Sequence, residues 1–279
     1  MTGGAGFIGR RVVDRLEARG DSVLVVDRAR GLDVLDEALP WRGLDAVVHL
    51  AGRLGTAELF DAAEEAIDAN VRGTARVLEA ARREELRYVG ITMPAVWTNP
   101  YQITKRAARD LASAWHRAFG IPVAHVRAFN VYGAGQRTGP GHPRKIVPTF
   151  SVAGWAGEPI EVWGSGEQTV DLVDVDDVAR MLVAALDFGD DETFDAGTGV
   201  AVSVAEVAEF VREATGGRAP IANLPMRLGE EEGTAIRSEG EGWELLGWRP
   251  EFSWSRLLET VASYRDVAAG AGVLEGARA

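Results

Sequence analysis

The chain has 279 residues, 46% of them hydrophobic, with a net charge of −12 at pH 7 and a pI near 4.9. That apolar content can bury the core of one large α/β unit or of one with a smaller companion, whereas the acidic balance disfavours a nucleic-acid backbone as partner. The chain has no cysteine, and its histidines (His49, His116, His125, His142) lie far apart, so disulfides, a thiol nucleophile and a metal centre are not expected. It also has neither an 18-residue apolar run nor a signal-like start, which points to the cytoplasm.

The chain opens on MTGGAGFIGR, a glycine-rich turn preceded only by Met1 and Thr2. Such a turn needs a strand before it and a helix after it. The helix is expected over 7–18, closed by Gly20, and a strand over 22–27 (SVLVVD). The strand before the turn would be central, and its loss would strand backbone groups on two neighbours. The expectation is therefore a natural start several residues upstream, with weakened cofactor binding otherwise. Further on come a doubly apolar strand over 44–50, a helix over 66–83, the strand LRYVGIT, a helix over 101–119 and the strand VAHVRAFNVYG. Residues 134–145 (AGQRTGPGHPRK) read as a basic loop and domain border. Then VDVDDVARMLVAAL and ETFDAGTG read as a helix and strand rejoining the sheet, and Ser203 with Glu206 as the capping box of another helix. The tail after Val267 looks frayed. The pattern is α/β, a Rossmann-type doubly wound parallel sheet with a smaller C-terminal mixed α/β domain. The expected division is 1–136 plus 171–200 for one domain and 137–170 plus 201–279 for the other.

Gly3, Gly6 and Gly9 permit a tight turn, close approach of backbone to a pyrophosphate and close packing of helix on strand. Asp27 ends the next strand 18 residues after Gly9, where an acid takes ribose hydroxyls and repels the extra phosphate of NADP, which favours NAD. Arg28 and Arg30 soften that preference, since arginines at this turn can bind a 2′-phosphate.

Of the 30 basic residues, 28 are arginine, and Lys105 is one of only two lysines. It stands four residues after Tyr101 at a helix start, which puts both side chains on one face. A compact ammonium there can reach a ribose and a phenol together, and should lower the phenol's pKa from about 10. A shift of ~3 units is on the order of 4 kcal/mol, enough to make a usable base.

Together these residues resemble the extended short-chain dehydrogenase/reductases, specifically the NAD-dependent nucleotide-sugar epimerases and dehydratases. TGGAGFIG, with Phe7 and Ile8, is similar to the family's pyrophosphate turn, GLDVLD (Asp33, Val34) to its adenine-side segment, and HLAG (Leu50, Ala51, Gly52) to the strand beside the nicotinamide ribose. NVRGTARVLEAA with Asn70 resembles its fourth helix, RAFNVYG with Asn130 the junction of the two sites, GSGEQTVDLVDVDDVA and PMRLGE with Arg227 its diphosphate clamp, and LLGWRP its closing motif. The resemblance implies a UDP- or dTDP-sugar substrate, NAD as cofactor, and Tyr101 removing a hydroxyl proton with the help of Lys105. It also implies a transient keto sugar, and a homodimer through helices that include the Tyr101 helix.

Three departures bear on the reaction. Met93 holds the position of the serine or threonine that bonds the reacting oxygen, leaving Thr92 to serve if the chain bends at Pro94, with Thr98 as another candidate. Pro94 and Ala95 replace the acidic pair of dehydratases. Only TNP separates Trp97 from Tyr101, so an open sugar site is expected. Val170 replaces a diphosphate-binding arginine, so Arg227 with Arg137, Arg144 or Lys145 must neutralise the substrate. The leading expectation is a 4-epimerase. The alternatives are a keto-sugar reductase or dehydratase that uses NAD(P), and a catalytically weak NAD-binding protein.

Overall fold

A computed structural model describes residues 1–36, 38–139 and 141–269. Helix α1 (Phe7–Arg19) leaves the glycine turn and ends at Gly20 in the left-handed region (φ 95°), as glycine permits. Four parallel strands follow in the order β1 (Ala46–His49), β2 (Arg87–Thr92), β3 (Val123–Ala128) and, at the far edge, β8 (Asp190–Ala196).

Residues 22–27 do not form the expected strand, because a ladder needs a partner along its whole length. Only Val26 bridges Thr2. Met1–Gly3 nonetheless fills the central slot. Val26 N–H donates to Met1 O (2.8 Å), Gly3 N–H to Val26 O (2.9 Å), Thr2 N–H to Val48 O (3.0 Å) and Leu50 N–H to Thr2 O (3.1 Å). The neighbours are therefore bonded at the turn-proximal end, where unpaired groups were expected. Because Thr2 bridges both Val26 and His49, the chain crosses from one side of this slot to the other. That is the topological switch point, where a crevice opens beyond the strand ends.

The long helix expected over 66–83 is continuous but not uniform. It runs as α2 (Ala63–Ala66), a wide π-helical segment over Ile67–Arg72, and α3 (Gly73–Glu84). Helix α4 (Pro100–Phe119) starts where Asn99 Oδ1 accepts Gln102 N–H (3.0 Å) and Pro100 takes the first position. After β3 the chain bends at Phe129, and β4 (Asn130–Tyr132) leaves the main sheet to pair with β7 (Leu172–Asp174). Helix α5 (Ile146–Ala156), β5 (Ile160–Trp163), β6 (Thr169–Val170), β9 (Val202–Ser203), helix α7 (Val204–Ala214) and β10 (Ile221–Leu224) surround a second buried cluster around Phe150, Ile160, Val162 and Val207. Between β7 and β8 runs α6 (Val175–Ala184), packed on α1. Two helices close the described chain, α8 (Trp243–Leu246) and α9 (Trp254–Ser263). The capping box expected at Ser203 and Glu206 is formed, and β8 joins the main sheet beside β3. Most of the tail expected to fray lies outside the described residues. Among the described residues, no helix is long and apolar enough to cross a membrane.

Candidate active site

One cavity of about 720 Å³ runs from the glycine turn to the loop after β10, and every residue singled out above for a catalytic, cofactor or substrate role except Arg30 and Thr98 lines it. Thr98 is exposed and lies outside it.

At the turn, backbone approach is the controlling fact. A Cβ on Gly3 (φ 69°) would stand 2.7 Å from Ala51 N, and one on Gly9 would stand 2.1 Å from Gly3 O. Asp27 fixes the turn's far side, accepting Ala5 N–H at Oδ2 (3.0 Å) and Ala29 N–H at Oδ1 (2.9 Å). A glycine cradle at a helix start with an acid beside it fits a dinucleotide such as NAD.

A buried chain of side chains ties the turn to the helices. Thr74 Oγ1 donates to Asn70 O (2.7 Å), so it accepts from His49 Nε2 (3.0 Å), and His49 Nδ1 then accepts from Thr2 Oγ1 (2.7 Å). Burial first, then the Lys105 charge, holds the His49 pKa down to about 3, so the ring is neutral at pH 7. Asn70, on the π-helical turn, accepts Arg53 N–H (2.7 Å) and donates to Arg53 O (3.0 Å) and to Thr104 Oγ1 (3.0 Å). Its amide thereby clamps the segment after β1 to α4. Sequence reading assigned Asn70 to the cofactor site but gave no hint of this clamp.

Tyr101 and Lys105 stand on the first turns of α4 and face the cavity. Burial dominates their chemistry: it pushes the Tyr101 phenol up to about 12 and the Lys105 ammonium down to about 8. This corrects the expectation of a depressed phenol. In the protein alone the low-dielectric wall outweighs any help from the ammonium. Thr92 is the buried last residue of β2, and both it and Met93 border the cavity because the chain leaves the sheet at Pro94. The short connection before Tyr101 does not leave this wall bare. Trp97 lines it and donates Nε1–H to Thr234 Oγ1 (3.1 Å), while Asn99 Nδ2 donates to Gly229 O (2.9 Å).

The opposite end is cationic. Lys145, Arg144 and Arg227 gather there, with the guanidinium carbons of Arg144 and Arg227 5.1 and 4.8 Å from the Trp163 ring centre. Burial and then the Arg227 charge push the Lys145 pKa down, against the pull of Glu58 and Glu230. Arg227 pairs with Glu230 at its Nη2, yet its Nε is buried without a partner, as are Gln136 Oε1, Gln168 Oε1 and Thr169 Oγ1, all on this cavity. Buried polar atoms are normally bonded, so four orphans along one cavity point to a polar ligand. Val170 is buried beside them. Sequence reading missed Trp163, Trp97, Glu58 and Glu230. The one available signal was Trp163 closing a strand just before a glycine turn.

The sequence pattern of the NAD dependent epimerase/dehydratase family matches residues 1–93 and 91–197. The UDP-glucose 4-epimerase of Mycolicibacterium smegmatis is 29% identical over 95% of this chain and 98% of that protein. Among solved structures, the UDP-glucose 4-epimerase of Thermotoga maritima, determined with UDP-glucose, superposes with a TM-score of 0.82 at 26% identity, covering 95% of this chain and 98% of that one. DesIV, a dTDP-glucose 4,6-dehydratase of Streptomyces venezuelae solved with NAD bound, superposes with a TM-score of 0.83 at 26% identity, covering 95% and 96%. With its glycine cradle, its switch-point crevice and a family match over more than half its length, the chain belongs to the NAD-dependent epimerase/dehydratase family.

Proposed function

We propose that this enzyme is a nucleotide-sugar 4-epimerase acting on a UDP- or dTDP-sugar. The observation that carries the reading is what one cavity brings together: a glycine turn that fits a dinucleotide, the Tyr101 phenol with the Lys105 ammonium, and the Lys145, Arg144 and Arg227 cluster with the unbonded Arg227 Nε. Lys145, Arg227 and Arg144 would neutralise the diphosphate in place of the arginine replaced by Val170, and Asn130 would border the sugar. The glycine turn, Asp27 and the Leu50–Gly52 segment would hold NAD, which would supply reversible hydride chemistry there. Tyr101 takes the proton of the sugar hydroxyl and gives it back at the same oxygen. Lys105 supplies the positive charge that lets the phenol ionise, and Thr92 orients the hydroxyl.

Among the described residues, the carboxylates lining the cavity are Asp27, Asp33, Glu230 and Glu231. Asp27 and Asp33 flank the turn after residue 26, and Glu230 is paired with Arg227. Three of the four are thus engaged away from Tyr101, and Pro94 and Ala95 stand where dehydratases carry their acidic pair, which favours epimerisation over dehydration. The two-part division at 136, 170 and 200, the cytoplasmic location and a homodimer through α4, where Ile103 and Phe119 are exposed, belong to the same proposal.

A panel of UDP-, dTDP- and GDP-sugars, assayed by product chromatography with no added cofactor, tests the reading. A new sugar epimer formed without net change in cofactor is expected. Stoichiometric consumption of reduced cofactor would establish the reductase instead.

A further inference from the structure

We propose that Asp33 sets cofactor choice by holding Arg28, so that the chain reads the ribose 2′ position as a hydroxyl and not as a phosphate. This goes beyond the assignment of NAD and does not depend on which sugar is processed. Asp27, Arg28 and Asp33 line the same end of the cavity. Each Asp27 oxygen already takes one backbone N–H, from Ala5 and Ala29, which fixes the carboxylate and leaves its remaining lone pairs for hydroxyls. One residue further, Arg28 is a long, largely exposed guanidinium, the group best suited to grip a phosphate. Its Nε donates to Asp33 Oδ2 at 2.6 Å.

Asp33 is the fixed member of this pair. Its Oδ1 accepts Leu35 N–H (2.9 Å), and its own N–H donates to Asp36 Oδ2 (2.7 Å). The arginine is therefore drawn to an acid anchored in a turn, and its charge is cancelled where a 2′-phosphate would need it. Arg30, the other arginine of the turn, is exposed and does not line the cavity, so it cannot take over. Exposed ion pairs are individually weak, so releasing Arg28 should change selectivity by about fivefold and not by thousands.

Dissociation constants of NAD and NADP are measured on the full chain by calorimetry, and their ratio is the readout. Asp33→Asn keeps an oxygen for Leu35 N–H but removes the charge, and Asp33→Ser keeps the cap with a hydroxyl should the first variant bind neither nucleotide. The expected result is a fall of about fivefold in the NADP-to-NAD ratio of dissociation constants, reversed when Arg28→Ala is added. Arg28→Ala alone should leave the ratio within about twofold, because a latched arginine reads nothing. The proposal is overturned if the acid-removing variants bind NAD with an unchanged ratio, or if Arg28→Ala alone raises the ratio, which would show that Arg28 already contacts the phosphate.

Discussion

Replacing Tyr101 by phenylalanine is expected to lower turnover of the cognate nucleotide sugar by about 10²–10⁴-fold, the range for loss of a positioned acid–base group, while nucleotide-sugar binding changes by less than about twofold. The structure makes this demand severe. A phenol pushed up to about 12 by burial is almost entirely neutral at pH 7, and by the usual 1.36 kcal/mol per unit its ionisation there costs about 7 kcal/mol. In the proposed complex the Lys105 ammonium would offset this, as would the positive charge that NAD supplies when bound. Lys105→Met removes the first of them. Its residual rate should climb about tenfold per pH unit from pH 7 to 9, because the phenolate fraction rises at that slope well below the pKa. In the wild type the Lys105 ammonium, lowered to about 8, is itself lost as pH rises through that value, so the same climb should be absent above pH 8. Pre-steady-state kinetics on the two variants and the wild type would check this. A flat pH profile for Lys105→Met would remove the phenolate from the account.

Lys145→Met and Arg227→Met should each weaken binding of a nucleoside diphosphate by roughly 10- to 150-fold, the range for a lost charge-assisted hydrogen bond, and leave binding of the neutral nucleoside unchanged. The reason lies in the empty-handed state of these groups. Burial and mutual repulsion depress Lys145, and Arg227 keeps a buried Nε without an acceptor. An anion placed between them relieves both penalties at once, whereas Glu230 satisfies only one side of Arg227. Calorimetric titration with UDP and with uridine separates the phosphate contribution from that of the base. Equal losses for the two ligands would mean that the variants had damaged the wall and that the charges do not read the diphosphate.

What the sequence disclosed and what it concealed divide along physical lines. The glycine turn, the Tyr101–Lys105 spacing and the Ser203 capping box are local constraints, each set by a few adjacent residues, and the fold realises them where they were expected. The conformation of residues 22–27 depends instead on how much strand lies beside them, which periodicity does not report. The phenol's titration depends on burial by the whole cavity, so a helix-local view of Tyr101 and Lys105 put the shift in the wrong direction for the protein alone. The cationic pole joins Glu58, Lys145, Trp163 and Arg227, which are far apart in the chain. Their meeting follows from the packing of the β5–β10 region and from no short motif. The Thr2–His49–Thr74–Asn70 chain is hidden for the same reason, since its links join segments far apart in the chain.

In the proposed reaction a hydrogen leaves the sugar carbon and returns to it within one site. The most direct measurement uses a substrate nucleotide sugar deuterated at C4 and follows both rate and product by mass spectrometry. A primary isotope effect with the deuterium kept in the epimerised product is the predicted result. Loss of the label to water, or its replacement by hydrogen from added reduced cofactor, would contradict it.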